Sequence, residues 1–195
     1  SIRNILFAIF ASIGLVYLKE FTEKGFTTEN QVEALSSSLM IPMIGTVPFL
    51  KSVSESNTLS EKDIEANIDK DITGDEFILS ETFRTLATSI KFLNISSNSS
   101  NNLVVTSTKP SEGKTTITSL IAKTFADLGN RVLLIDADMR RPFVHKNFDI
   151  DNICGLSNLI TDSNVNLDQT IIKTKVPNLD LITAGIAPPD PVYLM

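Results

Sequence analysis

Apolar and polar positions divide the sequence into stretches of different character. Residues 2–18 read IRNILFAIFASIGLVYL, and from Ile5 to Leu18 only Ser12 and Gly14 interrupt an uncharged apolar run. A helix packed on a globular core keeps a polar face, and this run has none. It is slightly short for a membrane span, which takes about 20 residues within a range of about 17–25. The pattern predicts a transmembrane helix over 1–19. A buried helix and a signal-peptide core compete with that reading, the latter without a small-x-small cleavage site after it. Tyr17 sits at interfacial depth and Lys19 and Lys24 follow, against Arg3 on the other flank. That arrangement places the C-terminal side in the cytoplasm.

Residues 20–50 form a juxtamembrane unit. Thr28 is placed to cap a helix with Gln31 at the capping-box position. The helix runs through Val32 and Leu35, and MIPMIGTVPF follows as an extended segment ending near Pro48. Residues 51–75 are polar and acidic without an apolar period and read as a flexible linker. Phe77, Phe83, Leu86, Ile90 and Leu93 then fall near helical spacing, which predicts a helix over 76–93. The polar run NISSNSSNN at 94–102 ends it. From Leu103 strands and helices alternate. LVVTST (103–108) predicts a strand, and Thr115–Leu128 a helix stopped by Gly129 and Asn130. RVLLIDAD (131–138) predicts a second strand, apolar without alternation as in a sheet covered on both faces, and LDLITAG (179–185) a third. The order is that of a doubly wound α/β domain over 76–195 with a parallel sheet.

Composition narrows the function classes. The chain has 195 residues and a net charge of −6, with an acidic pI near 4.8, which argues against a broad nucleic-acid-binding face. A single cysteine, Cys154, excludes an internal disulfide and a cysteine-based zinc site. A single histidine, His145, excludes a His-rich metal centre and reads as surface or capping. Neither Ser1 nor Met195 looks like a finished terminus, so the chain reads as a fragment.

The chemistry concentrates in TSTKPSEGKTT, residues 106–116. It lies between a predicted strand and a predicted helix, the context a phosphate-binding loop requires. Backbone N–H groups wrap a polyphosphate there, and the helix N-terminus adds a favourable dipole. Gly113 allows close approach, Lys114 supplies a point charge to the β- and γ-phosphates, and Thr115 offers a hydroxyl to Mg²⁺. Thr108 stands where GxxxxGK[ST] has its first glycine. The competing reading is a chance Gly-Lys at a helix start. The second feature is LLIDADMRRP, residues 133–142. Asp136 and Asp138 fall at the C-terminal end of the second strand, the ligand-binding edge of an open α/β sheet. As i and i+2 residues of an extended chain they share a face, within reach of one Mg²⁺ or one hydroxyl nucleophile. A helix cap with a solvated strand end is the alternative. Arg140, Arg141 and Lys146 read as solvated surface, with Arg140 the exception because it follows the acidic pair. Lys109 reads as exposed, and Cys154 as a small buried residue.

A Walker A loop ending P-S-E-G-K-T-T, followed by an apolar strand ending D-A-D-M-R-R-P, resembles the bacterial tyrosine kinases of capsule and exopolysaccharide export. These form the C-terminal kinase part of polysaccharide co-polymerases. ETFRTLATSIKF (81–92) resembles their Glu-x-x-Arg helix. GLSNLI (155–160) and PNLDLITAGIAPPDP (177–191) resemble the segments after the second Asp, and the apolar span with MIPMIGTVPF resembles the junction between their last membrane helix and the kinase domain. The resemblance implies a P-loop NTPase-type fold and ATP with Mg²⁺ as cofactors. Pro110, Ser111, Glu112, Gly113, Lys114, Thr115, Thr116 and Arg140 would lie around the nucleotide, with Thr115, Asp136 and Asp138 around the metal. Lys114, Asp136 and Asp138 would be the catalytic set, Asp136 as base toward a tyrosine hydroxyl. Glu81 and Arg84 would lie at an interface between protomers. Further implied are the polysaccharide export machinery and the membrane as partners, no nucleic acid, and an inner-membrane location with the nucleotide-binding domain in the cytoplasm.

The sequence departs from that family at three points. Ala87 stands where the interface motif usually has a second arginine. No apolar strand ending in Asp follows LDLITAG, and the only tyrosines are Tyr17 and Tyr193. The isolated chain is therefore expected to be inactive or very weak. Two other classes remain open on these residues. One is a partition- or septum-site-type ATPase switch, which usually has Lys-Gly-Gly where this chain has Lys109-Pro110-Ser111. The other is a catalytically incomplete export component.

Overall fold

The computed structural model describes residues 29–48, 74–95, 102–188 and 190, together with Ser12 and Gly14. The predicted membrane helix over 1–19, the capping Thr28 and the linker over 51–75 lie outside them almost entirely. Among the described residues no helix is long and apolar enough to cross a membrane. The chain divides into two compact units, Ser1–Met43 and Ile44–Met195. The first contains helix α1, Glu29–Leu39. Met40 follows it in the left-handed region, φ 55°, with the Ile41 amide returning to the Ser36 carbonyl at 3.1 Å, a Schellman-type ending.

In the second unit the elements run α2 (Gly74–Ile95), α3 (Lys114–Asp127), β1 (Val132–Ile135), α4 (Val144–Asn147), α5 (Leu156–Thr161), α6 (Leu167–Thr170), β2 (Ile172–Lys173) and β3 (Leu179–Ile182). Helix α3 is the centre of the packing because it is apolar on two sides. Ala122 and Ala126 face a cluster with Leu134, Val144, Phe148, Val176, Leu179 and Leu181 from the sheet side. Ile117, Leu120, Ile121 and Phe125 meet Leu79, Phe83, Leu86 and Ile90 of α2. The stripe that α2 buries is thus 79/83/86/90. Phe77 and Leu93, which the sequence pattern puts on the same face, are exposed. Phe77 lies six residues before Phe83, which is about 120° round the helix.

The sheet is mixed, not all parallel as the sequence pattern predicts. Its order is β1–β3–β2. β1 and β3 are parallel, with Leu134 opposite Leu181; β2 runs antiparallel to β3, with Ile172 opposite Leu181. The reason is the connection. Only Thr174–Asn178 join β2 to β3, and a parallel pair needs a crossover of about a dozen residues or more. Thr174 closes that turn by donating its hydroxyl to the Leu179 carbonyl at 2.7 Å. Two further expectations change. Residues 103–107 carry no ladder among the described residues, and Val104 is 88% exposed; their backbone has no strand beside it there to pair with. In β1, Leu134 is buried while Leu133 and Ile135 are exposed. No described element covers the face that carries the latter two, so the strand alternates where continuous burial is predicted.

Candidate functional site: the loop before helix α3 and the edge of β1

Helix α3 starts at Lys114 directly after Gly113, which sits at φ 83°, ψ 8° as its N-cap residue. That conformation disfavours a side chain, and the space where a Cβ would lie is open, with only Ile117 Cδ1 near, at 3.9 Å. No side chain caps the helix and its first turn has no acidic residue. The first backbone N–H groups of a helix have no intrahelical acceptor, so the amides of Lys114, Thr115 and Thr116 point out of the turn as donors for an anion. Ser111 also takes a positive φ, 65°, so the loop reverses twice before the helix. Its neck is tied across. Ser107 donates its hydroxyl to the Lys109 carbonyl at 3.0 Å, and the Glu112 carboxylate receives the amides of Thr108 at 3.0 Å and Lys109 at 3.1 Å. Pro110, Ser111 and Glu112 are exposed at the rim, as is Lys109.

Across from the loop, β1 ends as the Asp136 amide donates to the Ile182 carbonyl at 2.9 Å. The acidic pair then divides its tasks. Asp138 is half-buried and lies 3.1 Å from Lys114 Nζ, and its other oxygen accepts the Arg141 amide at 3.1 Å. Burial raises the proton affinity of Asp138, but the Arg141 amide and the Lys114 ammonium outweigh it and hold the carboxyl below its ordinary value. Asp136 is buried, 4% exposed, and is enclosed by main chain. One oxygen accepts the Asp138 amide at 3.0 Å; the other accepts the amides of Phe143 at 3.3 Å and Val144 at 3.2 Å. Burial is the strongest influence on Asp136 and pushes its carboxyl above the ordinary value despite these three donors. An acidic group of raised proton affinity at a ligand-binding edge is suited to accept a proton.

Helix α4 connects the two halves. Its first amide holds Asp136, and its last residue, Asn147, donates to the Ser119 hydroxyl of α3 at 3.1 Å. Ser119 in turn donates to the Thr115 carbonyl at 2.9 Å. A chain of hydrogen bonds thus runs from Thr115, through Ser119 and Asn147, to the helix that encloses Asp136. Sequence reading passes over both Ser119 and Asn147. His145 is also more enclosed than expected of a surface residue: its Nδ1 is buried and has no partner among the described residues, and burial lowers its pKa against the opposing effect of Asp136. A second knot fixes the end of β3. Asn152 pairs with both the amide and the carbonyl of Gly185 at 2.8 and 2.9 Å, and the Leu156 and Ser157 amides donate to the Thr183 and Ala184 carbonyls. Gly155 is buried against this strand end, and a Cβ there would collide with the Thr183 carbonyl.

Of the residues singled out in the sequence, Lys114 and Asp138 meet directly, with Thr115 and Thr116 beginning the helix beside them. Arg140 and Arg141 are exposed beyond the acidic pair. Glu81 and Arg84 lie on the exposed side of α2, away from its contact with α3, and Ala87 is fully buried. Cys154 is half-buried, its carbonyl accepting from Thr183. The oxygens of Thr115, Asp136 and Asp138 are of the type that Mg²⁺ takes. No larger cluster of possible metal ligands occurs among the described residues. Mg²⁺ bound with a nucleotide needs only one or two protein carboxylates, the phosphates and water supplying the rest, so the residues present fit such a group.

An open-capped helix, a glycine turn and a lysine paired with the acidic strand end define a P-loop nucleotide-binding domain of α/β type. Residues 103–181 match the CobQ/CobB/MinD/ParA nucleotide binding domain family. The chain is 36% identical to the tyrosine-protein kinase YwqD of Bacillus subtilis over 60% of its own length and 48% of that protein. It is 32% identical to the tyrosine-protein kinase ptk of Acinetobacter johnsonii over its whole length and 26% of that protein. Among solved structures, the kinase domain of the Escherichia coli tyrosine kinase ETK matches with a TM-score of 0.70 at 27% identity, covering 87% of this chain and 64% of that one. The chain is thus similar to bacterial tyrosine kinases and, among solved structures, to the kinase domain of one of them. It spans about half the length, or less, of the curated relatives it matches.

Proposed function

We propose that the chain is the nucleotide-binding part of a bacterial protein-tyrosine kinase that transfers the γ-phosphoryl group of ATP to tyrosine in capsule or exopolysaccharide production. The observation that carries this reading is the 3.1 Å pairing of Lys114 with Asp138 at the mouth of a turn whose helix amides lack any internal acceptor. Lys114 and the amides through Thr116 would hold the phosphates, with Pro110, Ser111 and Glu112 forming the loop and Arg140 at its outer edge. Thr115, Asp136 and Asp138 would surround Mg²⁺, which when bound screens the phosphate charge and aligns the transferred group. Asp136, whose carboxyl burial pushes up, would receive the proton of a tyrosine hydroxyl, a group whose ordinary pKa is about 10. Asp138 would keep Lys114 oriented before the nucleotide arrives.

The remaining assignments belong to the same proposal. Residues 1–19 would anchor the chain in the inner membrane, 20–50 and 51–75 would connect and space, and 76–195 would lie in the cytoplasm. Glu81 and Arg84, both exposed on α2, would meet a neighbouring protomer, and the polysaccharide export machinery would be the wider partner. Incubation of the chain with γ-labelled ATP, Mg²⁺ and a tyrosine-containing acceptor peptide tests the reading. Label on tyrosine supports it. Release of free phosphate with dimer formation would instead support the switch ATPases that share this nucleotide-binding family. Neither outcome, together with no nucleotide binding, would overturn the proposal.

A further inference from the structure

Glu112 precedes Gly113 in the loop, where an acidic side chain is at first sight out of place. A free carboxylate beside a polyphosphate repels it across the roughly 10 Å over which charges act at ordinary ionic strength. This carboxylate is not free. One oxygen accepts both the Thr108 amide at 3.0 Å and the Lys109 amide at 3.1 Å, and both oxygens lie 3.1 Å from the Thr108 hydroxyl. The Lys109 amide is the foremost influence and burial, which opposes it, the next; with the Thr108 hydroxyl and amide added, the donors hold the carboxyl below its ordinary value. The donors that Glu112 takes lie on the incoming side of the turn. The helix-side amides of Lys114, Thr115 and Thr116 are left for an external anion. Thr108 also occupies the place of the first glycine of GxxxxGK[ST].

We propose that Glu112 is a positioning residue, a carboxylate clip that closes the neck of the loop and so compensates for the missing glycine. The inference rests on the reading that this loop grips nucleotide phosphates. With the neck closed, the turn at Ser111 and Gly113 is set before the ligand arrives, and less ordering remains to be done on binding.

The test compares the full chain with Glu112→Gln and Glu112→Ala. A glutamine carbonyl can accept both amides, because a single oxygen takes both in this structure; alanine accepts neither. Two quantities are read: amide hydrogen exchange at Thr108 and Lys109 without nucleotide, and the Kd for Mg-ADP by calorimetry. Glu112→Ala is expected to exchange faster at those two amides and to bind Mg-ADP on the order of tenfold more weakly. Glu112→Gln stays within about twofold of the wild type. Melting of the nucleotide-free protein should be the same for all three, since the clip ties an exposed loop and no core. Equal or tighter binding by Glu112→Ala, with wild-type binding intact, overturns the clip alone and leaves the carboxylate a mere source of repulsion. Glutamine behaving like alanine overturns it as well, since charge rather than acceptance would then matter. No Mg-ADP binding by the wild type overturns the nucleotide reading, and the clip's purpose with it.

Discussion

Ser119 offers a clean test of how the two halves of the site are held together. It is 1% exposed, and its hydroxyl both donates to Thr115 and accepts from Asn147, itself 2% exposed. Serine to alanine removes one oxygen and leaves almost no cavity, so the change isolates the hydrogen bonds. Two consequences follow: the Asn147 amide loses its acceptor while buried, and the Thr115 carbonyl loses one donor. A buried group left unsatisfied costs about 1–3 kcal/mol, and serine to alanine within a helix returns a few tenths of a kcal/mol in propensity. Ser119→Ala should therefore destabilise by about 1–2 kcal/mol. For a chain of this size that lowers Tm by about 3–6 °C. The chain has no tryptophan, so urea unfolding is followed by far-UV circular dichroism. Asn147→Leu removes the donor and keeps the volume. In the double variant nothing polar is stranded, so the two changes should fall short of their sum by about 1 kcal/mol. Strict additivity, or a cost for Ser119→Ala below about 0.3 kcal/mol, would refute the bridge between α3 and α4.

Two further outcomes follow from the same geometry. The Asp138 carboxyl is held below the ordinary value of 3.8, so its contribution to stability is present above that value and disappears as pH falls through the lowered one. Asp138→Asn should be less stable than the wild type at neutral pH, and the two acid-unfolding curves should converge as pH drops below about 4. Gly155→Ala places a methyl group against the Thr183 carbonyl, a backbone atom that cannot move aside without breaking the Leu156 and Ser157 hydrogen bonds to β3. It should cost several kcal/mol, on the order of the most severe core changes, and yield little soluble protein, whereas Gly129→Ala, with nothing near its side, should cost only about 1 kcal/mol through its positive φ.

The parts of the fold that announce themselves in the sequence are those with local signals. Gly113-Lys114-Thr115 marks a loop and a helix start by residue type alone, and α3, β1 and β3 lie where the pattern of residues 103–185 puts them. What the pattern misses is decided by distant partners. β2 has only Ile172 and Lys173, too short for any period, and its antiparallel direction comes from the length of the turn after it. The exposure of Phe77 depends on which side of α2 meets α3, and helical spacing alone does not choose between two apolar stripes. Asp136 and Asp138 are legible as a pair but not in their division of labour, because the amides that enclose Asp136 come from Phe143 and Val144 on a later helix. Ser119 and Asn147, 28 positions apart, leave no trace in sequence because a single polar contact between buried helices has no repeat. Glu112 is visible as a residue, but its service to Thr108 and Lys109 is visible only in the folded loop.

Under the proposed function, Lys114 and the turn before it would seat a nucleoside triphosphate. Calorimetric titration of the chain with a non-hydrolysable ATP analogue and Mg²⁺, beside the Lys114→Met variant, tests it most directly. Methionine keeps the length of the side chain and removes its charge, so affinity should fall on the order of a hundredfold while the nucleotide-free fold persists, its half-exposed ion pair with Asp138 being worth about 1 kcal/mol at most. Equal binding by the two proteins, or none by the wild type, would contradict it.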